Sequence, residues 1–264
     1  MTLTGAGGCG KTRLALRVAA DLAAARAYPD GVWLVELAAL AEPALVADAV
    51  AAAVGVRGGG ERPALDLLVE QVRERRLLLV LDNCEHLIAA CAAVAAALVR
   101  ACPHLRLLAT SRRPLGLAGE VLWRVPSLDL PGEAAAPEVL AANEAVRLFV
   151  ERARLARPAF ALDPRTAPAV ARICRRLDGL PLAIELAAAR AALLSPEQLA
   201  ARLDDRFRLL TGGDRAAQRR QHTLRAAVDW SYDLLAPAER ALLARIAVFA
   251  GGATLETIEA VCGA

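Results

Sequence analysis

The stretch Gly5-Ala6-Gly7-Gly8-Cys9-Gly10-Lys11-Thr12, entered from the short run Met1–Thr4, constrains this chain more than any other feature. It satisfies the pattern G-x-x-x-x-G-K-[ST] in full. Glycines let a backbone take conformations closed to other residues and bring N–H groups against phosphate oxygens. The helix expected next aims the positive end of its dipole at the same oxygens. Lys11 is the only lysine among 32 lysines and arginines. A compact ammonium on a flexible stem reaches over such a loop to the outer phosphates, where the broad fork of arginine fits poorly. The pattern therefore predicts a phosphate-binding loop. Gly5, Ala6, Gly7, Gly8, Cys9, Gly10, Lys11, Thr12 and Arg13 would lie against the ligand, and Thr12 would place a hydroxyl on Mg²⁺.

Downstream, strand-like and helix-like segments alternate. Lys11–Ala25 reads as a helix and Gly31–Leu37 as an apolar strand. Pro43–Val54 and Pro63–Arg75 read as helices entered through proline. Arg76–Asp82 is the strongest strand, Leu87–Ala101 a helix, and Leu105–Ser111 and Glu120–Val125 two more strands. Strands apolar on both faces and spaced by helices predict a parallel sheet covered on both sides. Pro126–Pro137 reads as a linker. From Asn143 onward only helices are expected, at Asn143–Ala156, Asp163–Leu177, Pro181–Leu194 and Pro196–Phe207. A polar break at Thr211–Gln221 precedes helices at Leu224–Leu235, Pro237–Phe249 and Leu255–Val261.

Three further stretches carry chemistry. The strand ending at Asp82 places a carboxylate on the Mg²⁺ side, as a P-loop NTPase requires. Asn83 follows it and cannot accept a proton. Two readings of Glu85 stand: an acid that orients or activates water, or an acid serving a helix N-terminus. The strand ending Thr110-Ser111-Arg112 sets Arg112 at the carboxyl edge of the sheet, where ligands sit. Arg112 is either an in-chain sensor of the γ-phosphate or a surface arginine. Lys11, Asp82, Glu85 and Arg112 are thus the candidate catalytic residues, with Thr12 and Asp82 facing the metal. In Leu177–Arg190, Gly179 ends one helix and Pro181 opens the next, a corner between helices.

Composition narrows the class. The apolar fraction is 56% but only 3% is aromatic, so the core is filled with small aliphatic groups. A net charge of +3, spread along the chain, argues against a nucleic-acid surface. The basic stretch Asp214–His222 reads as a solvated linker, with His222 on the surface. Six cysteines without a C-x-x-C pair read as reduced, buried residues of a cytoplasmic protein. The longest uncharged apolar run, Leu87–Val99, falls short of the ~20 residues a membrane span needs, and no signal peptide is expected.

The order GAGGCGKT, LLLVLDNCEH, ATSRRPLG, CRRLDGLPLAIELAAAR, HTLRAAVDWSYDLL and RIAVFAGG resembles the STAND class of signal-transduction ATPases. It is nearest the NB-ARC-like ATPase core of large bacterial regulators of the LuxR and SARP kinds, and the likeness covers nearly the whole chain. The resemblance implies an α/β P-loop NTPase sheet over residues 1–135, an all-α helical domain over 136–215 and the start of a winged-helix domain over 216–264. It implies that Pro181 lies near the nucleotide base. The implied mechanism is a switch: ADP holds a closed form, ATP exchange permits self-association, and slow hydrolysis resets it. DNA would be met only through a domain outside this chain, and the chain reads as part of a larger regulator. Where plant and animal relatives often carry a second acid, this chain has Asn83. A non-hydrolysing ADP-binding scaffold is the alternative; a kinase or motor ATPase would need a lid or a ring-forming arginine that the sequence does not display.

Overall fold

A computed structural model of the chain describes residues 1–56, 62–132, 137–210, 232, 237–249 and 253–262. The chain divides into two compact units. The first comprises Met1–Gly5 and Gly10–Val125, the second Ala6–Cys9 and Pro126–Ala264.

In the first unit β1 (Thr2–Thr4), α1 (Lys11–Ala24), β2 (Val32–Glu36), α2 (Val46–Ala53), α3 (Ala64–Val72), β3 (Leu78–Asp82), α4 (Ile88–Ala101), β4 (Arg106–Ser111) and β5 (Leu122–Arg124) follow in order. The strands form one parallel sheet in the order β2-β3-β4-β1-β5. This is the parallel α/β arrangement expected from alternating strands and helices. β3 is an inner strand, between β2 and β4, and every one of its residues is buried. That burial on both faces is what a continuous apolar run requires.

Two layers cover the sheet. On one side Leu77, Leu79 and Leu81 pack with Val35, Leu37, Leu105 and Ala109 against α2, α3 and α4. Cys91, Val94, Ala95 and Leu98 form the buried stripe of α4, spaced as one helical face demands. The alternate residues Leu78 and Val80 turn to the other side. There α1 crosses the sheet, burying only Lys11 and Ala15.

Element boundaries differ from expectation mainly at helix entries. Pro43–Val54 divides into a 3₁₀ turn, Pro43–Leu45, and α2. The segment after β3 begins with a 3₁₀ turn, Cys84–His86, before α4.

The second unit carries α5 (Pro137–Ala142), α6 (Glu144–Ala156), α7 (Ala167–Arg176), α8 (Pro181–Ala188), α9 (Pro196–Leu210), α10 (Pro237–Ile246) and α11 (Leu255–Cys262). α5 was not expected, because its six residues are too few to display a period. α7 starts later than Asp163. That aspartate holds the N–H groups of Arg165 and Thr166 in a turn before the helix. Pro181–Leu194 closes early, in a 3₁₀ segment at Ala189–Ala192. Asn143 caps α6 by accepting from the N–H groups of Ala145 and Val146 at 3.1 and 3.2 Å, worth about 1 kcal/mol. Phe149 of α6 meets Phe160 edge to face at 6.0 Å. Arg152 of α6 pairs with Glu185 of α8 at 3.0 Å. The expected break at 211–221, the helix at 224–235 (Tyr232 apart) and the winged-helix start near Thr223 lie outside the described residues.

Gly179 has a local reason. Its φ is +64°, and a Cβ there would overlap the carbonyl of Leu128. The Leu128 N–H donates to the Gly179 carbonyl at 3.0 Å. All six cysteines are free thiols and five are buried. Burial pushes the Cys174 thiol up to about 12, which keeps it protonated and inert.

Candidate functional site

The loop between β1 and α1 is built from backbone that side chains would spoil. Gly5, Gly8 and Gly10 have φ of 151°, 75° and 95°. Gly10 occupies the N-cap of α1 in the left-handed region, and its carbonyl takes the first helical bond from Leu14. No side chain caps α1 and no acid stands in its own first turn, so the helix itself supplies no carboxylate to its positive end. An anion suits that position. A Cβ on Gly10 would meet nothing within 4 Å, so the loop is open there. Lys11, 8% exposed, turns its ammonium back over the loop and donates to the Gly5 carbonyl at 3.1 Å. Arg13 lies exposed on the first turn.

In the second unit, the N–H of Leu182 donates to the Gly8 carbonyl at 3.2 Å. A Cβ on Gly8 would stand 2.8 Å from the Leu182 Cβ. Pro181, the first residue of α8, is adjacent to that contact.

Parallel strands deliver the polar residues of the first unit to one edge. Asp82 ends β3, and Thr110 and Ser111 end β4. Thr12 and Thr110 both donate their hydroxyls to Asp82 Oδ1, at 2.8 and 2.6 Å. Thr110 in turn accepts the Asn83 N–H at 2.9 Å. Asn83 sits in the left-handed region at φ 66°, which asparagine tolerates better than most residues. Beyond it, Glu85 pairs with Arg112, Nε to Oε1 at 2.9 Å. With its amide nitrogen turned to that carboxylate, Asn83 donates to both Glu85 oxygens at 3.0 and 3.1 Å. That orientation follows from hydrogen-bond chemistry, since the opposite one sets oxygen against oxygen.

The structure therefore joins Thr12 to Asp82, and Glu85 to Arg112. Sequence reasoning missed Thr110, which ties Asp82 to the Asn83 backbone, and Asn83 as a donor. A small hydroxyl residue at the end of the strand next to the Asp82 strand was the available signal for the first. Two hard oxygen donors 2.8 Å apart, one on a rigid strand end, suit Mg²⁺. No cluster of three His, Cys, Asp or Glu exists among the described residues. A cation here would thus share its shell with phosphate rather than sit in a protein cage.

A parallel sheet of this order, with a glycine loop leading from β1 into α1 and Asp82 ending β3, separated from β1 by β4, has the P-loop NTPase fold. Residues 1–118 match the model of the AAA domain family. Two sets of mycobacterial relatives are 48% identical over 261 residues, 99% of this chain. One, from Mycobacterium bovis and Mycobacterium tuberculosis, is provisionally named as an HTH-type transcriptional regulator. The other, from the same organisms, is an uncharacterised protein. The chain spans 28% of the length of the first and 63% of the second.

Among solved structures, a STAND protein with a tetratricopeptide repeat sensor from Pyrococcus horikoshii aligns over 98% of this chain and 33% of its own. Its TM-score is 0.52 and its identity 16%. The ORC2 protein of Aeropyrum pernix, solved as ADPNP–ADP complexes, aligns over 98% and 86% with a TM-score of 0.51 and 14% identity. At these identities the likeness is one of fold. No helix among the described residues is long and apolar enough to cross a membrane.

Proposed function

We propose that this chain is an ATP- and ADP-binding regulatory switch, the STAND-type ATPase module of a cytoplasmic transcriptional regulator, with slow Mg²⁺-dependent hydrolysis. The observation that carries it is the convergence of Lys11, Thr12, Asp82 and Thr110 at the open end of the glycine loop. Lys11 and the loop N–H groups bind the β- and γ-phosphates, with Gly5, Ala6, Gly7, Gly8, Cys9, Gly10 and Arg13 along the loop. Lys11 exchanges the Gly5 carbonyl for a phosphate oxygen of higher charge. Thr12 and Asp82 hold the metal. A bound Mg²⁺ neutralises charge on the phosphates. Glu85 orients and deprotonates the attacking water, and Arg112 senses the γ-phosphate. Pro181 lies on the adenine side.

A ligand that binds one conformation better than another shifts the balance between them. In this reading ATP favours self-association in the whole protein, and DNA is met through a separate domain. The names given to the mycobacterial relatives support the regulatory setting. The NB-ARC-like and LuxR or SARP affiliation rests on the sequence motifs.

The test is to purify the chain, denature it and identify released nucleotide by chromatography, with Lys11→Ala alongside. ADP or ATP from the wild type and not from the variant supports the site, and hydrolysis is then followed by phosphate release with and without Mg²⁺. A folded wild type that neither retains nor binds nucleotide refutes the reading. Retained ADP with no phosphate release supports instead a non-hydrolysing scaffold. Taken by itself, as a residue that supplies no second base beside Asp82, Asn83 would favour that alternative.

A further inference from the structure

Glu85 and Arg112 come from different parts of the edge, one on the turn after β3 and the other just past β4, yet they satisfy each other at 2.9 Å. The two partners are unequal. The Glu85 side chain is 19% exposed and that of Arg112 is 54% exposed. Glu85 has a second holder, the Asn83 amide, which spans both its oxygens. Asn83 is itself fixed, because its N–H is bonded to Thr110, whose hydroxyl is bonded to Asp82. Among the described residues, Arg112 has Glu85 as its ion-pair partner and stands largely in water.

Such an exposed pair is weak and readily exchanged. A terminal phosphate presents more charge and more acceptor oxygens than one carboxylate oxygen, so it outcompetes Glu85 for the guanidinium. From this geometry we infer that Arg112 and Glu85 form a latch released by a nucleoside triphosphate, with Asn83 the positioning residue that keeps Glu85 in place when Arg112 leaves. With the latch closed, the arginine neutralises the carboxylate that would act on water. Opening it leaves that carboxylate without a counter-charge and still held by two amide hydrogen bonds. A diphosphate lacks the group that draws Arg112 away, so it leaves the latch closed. Asn83 is therefore a working part of the site and not a lost acid. The inference rests on the roles of Glu85 and Arg112 proposed above.

Binding separates the two readings. Affinities of the full chain for mant-ADP and for the mant-labelled imido analogue of ATP are measured by fluorescence, with Lys11→Ala as the control for the site. Glu85→Gln removes the anion that competes for Arg112. It is expected to tighten the triphosphate analogue about two- to fivefold, the worth of an exposed ion pair, while mant-ADP is unchanged. Arg112→Gln is expected to weaken the analogue about tenfold, and in the double variant the gain from Glu85→Gln disappears.

Turnover supplies the second arm. Asn83→Ala lowers kcat about tenfold or more, with the KM for ATP within about twofold. Asn83→Asp keeps size and tolerance of the left-handed backbone but sets a second carboxylate against Glu85, and is expected to be as slow. Unchanged mant-ADP affinity shows that both variants are folded. Lys11-dependent ADP binding with no tightening by Glu85→Gln overturns the latch alone. Faster hydrolysis by Asn83→Asp overturns the positioning role, since Asn83 would then mark the place of a missing base. Absence of any Lys11-dependent binding or turnover removes both this inference and the function on which it rests.

Discussion

Thr110→Val is the substitution that most directly tests how the edge of the sheet is assembled. Thr110 is 1% exposed, and valine keeps its branched shape. The change removes one hydroxyl and with it two bonds, the donation to Asp82 Oδ1 at 2.6 Å and the acceptance from the Asn83 N–H at 2.9 Å. A hydrogen bond to a charged group contributes about 1.5–3 kcal/mol. The Asn83 N–H is only partly buried, so orphaning it costs about 1 kcal/mol, the low end for such groups. The new methyl group offsets about 1 kcal/mol of this through apolar burial. The net expectation is a loss of about 1.5–3 kcal/mol.

Trp33 and Trp123 lie in the first unit, so a Trp230→Phe background confines the fluorescence signal to it. In urea, with a slope of about 2 kcal/mol per molar, the midpoint falls by about 1 M. Thr110→Ser retains both bonds and loses a methyl group, so it should unfold between the other two. A valine variant as stable as the wild type, or a serine variant less stable than the valine one, would falsify the assignment of Thr110 as the tie between Asp82 and Asn83.

Lys11→Arg retains charge but sets a planar fork where a point charge is needed. It should unfold within about 0.5 kcal/mol of the wild type yet lose nucleotide affinity by tenfold or more in the mant-ADP assay. Gly179→Ala forces a Cβ into the left-handed region and against the Leu128 carbonyl. It should cost about 2–4 kcal/mol, the backbone strain plus the Leu128–Gly179 hydrogen bond, read as a lower thermal midpoint; a cost under 1 kcal/mol contradicts the overlap. At Glu120, burial works to raise the carboxyl. Hydrogen bonds from Thr2 and from the N–H groups of Leu115, Gly116 and Leu117 outweigh it and hold the carboxyl below the ordinary glutamate value. Its contribution is therefore present above that ordinary value and lost as pH falls through the lower folded one. Glu120→Gln should be less stable than the wild type at pH 7, with the gap closing across that acid window in urea titrations.

The strand-and-helix order was readable because each signal is local. β3 is an unbroken apolar run ending in an acid, and β1 leads directly into a glycine pattern with few other uses. α6 declares itself through Asn143 and its apolar stripe. The candidate site was readable only in part, since its members were named one at a time. Thr110 lies 28 positions from Asp82, and only the parallel pairing of β3 with β4 brings the two together. Glu85 and Arg112 were named separately, and their pairing depends on a turn whose left-handed residue, Asn83, has no period to reveal it. α5 escaped notice because a single turn and a half, set between a proline-bearing linker and the Asn143 cap of the next helix, shows no repeat.

α1 buries only Lys11 and Ala15, while Leu14, Leu16 and Val18 remain 37%, 42% and 37% exposed. Little apolar packing holds this helix to the sheet beyond its first turn. Its free energy of local opening is correspondingly small and is carried by the contacts at its start. A ligand gripped at that start adds its binding energy to the closed form alone. Amide hydrogens along the far turns of α1 should therefore slow their exchange when the loop is filled, although no ligand atom reaches them. The helix would then work as a gauge, its needle at the Ala24 end and the weight placed at Lys11.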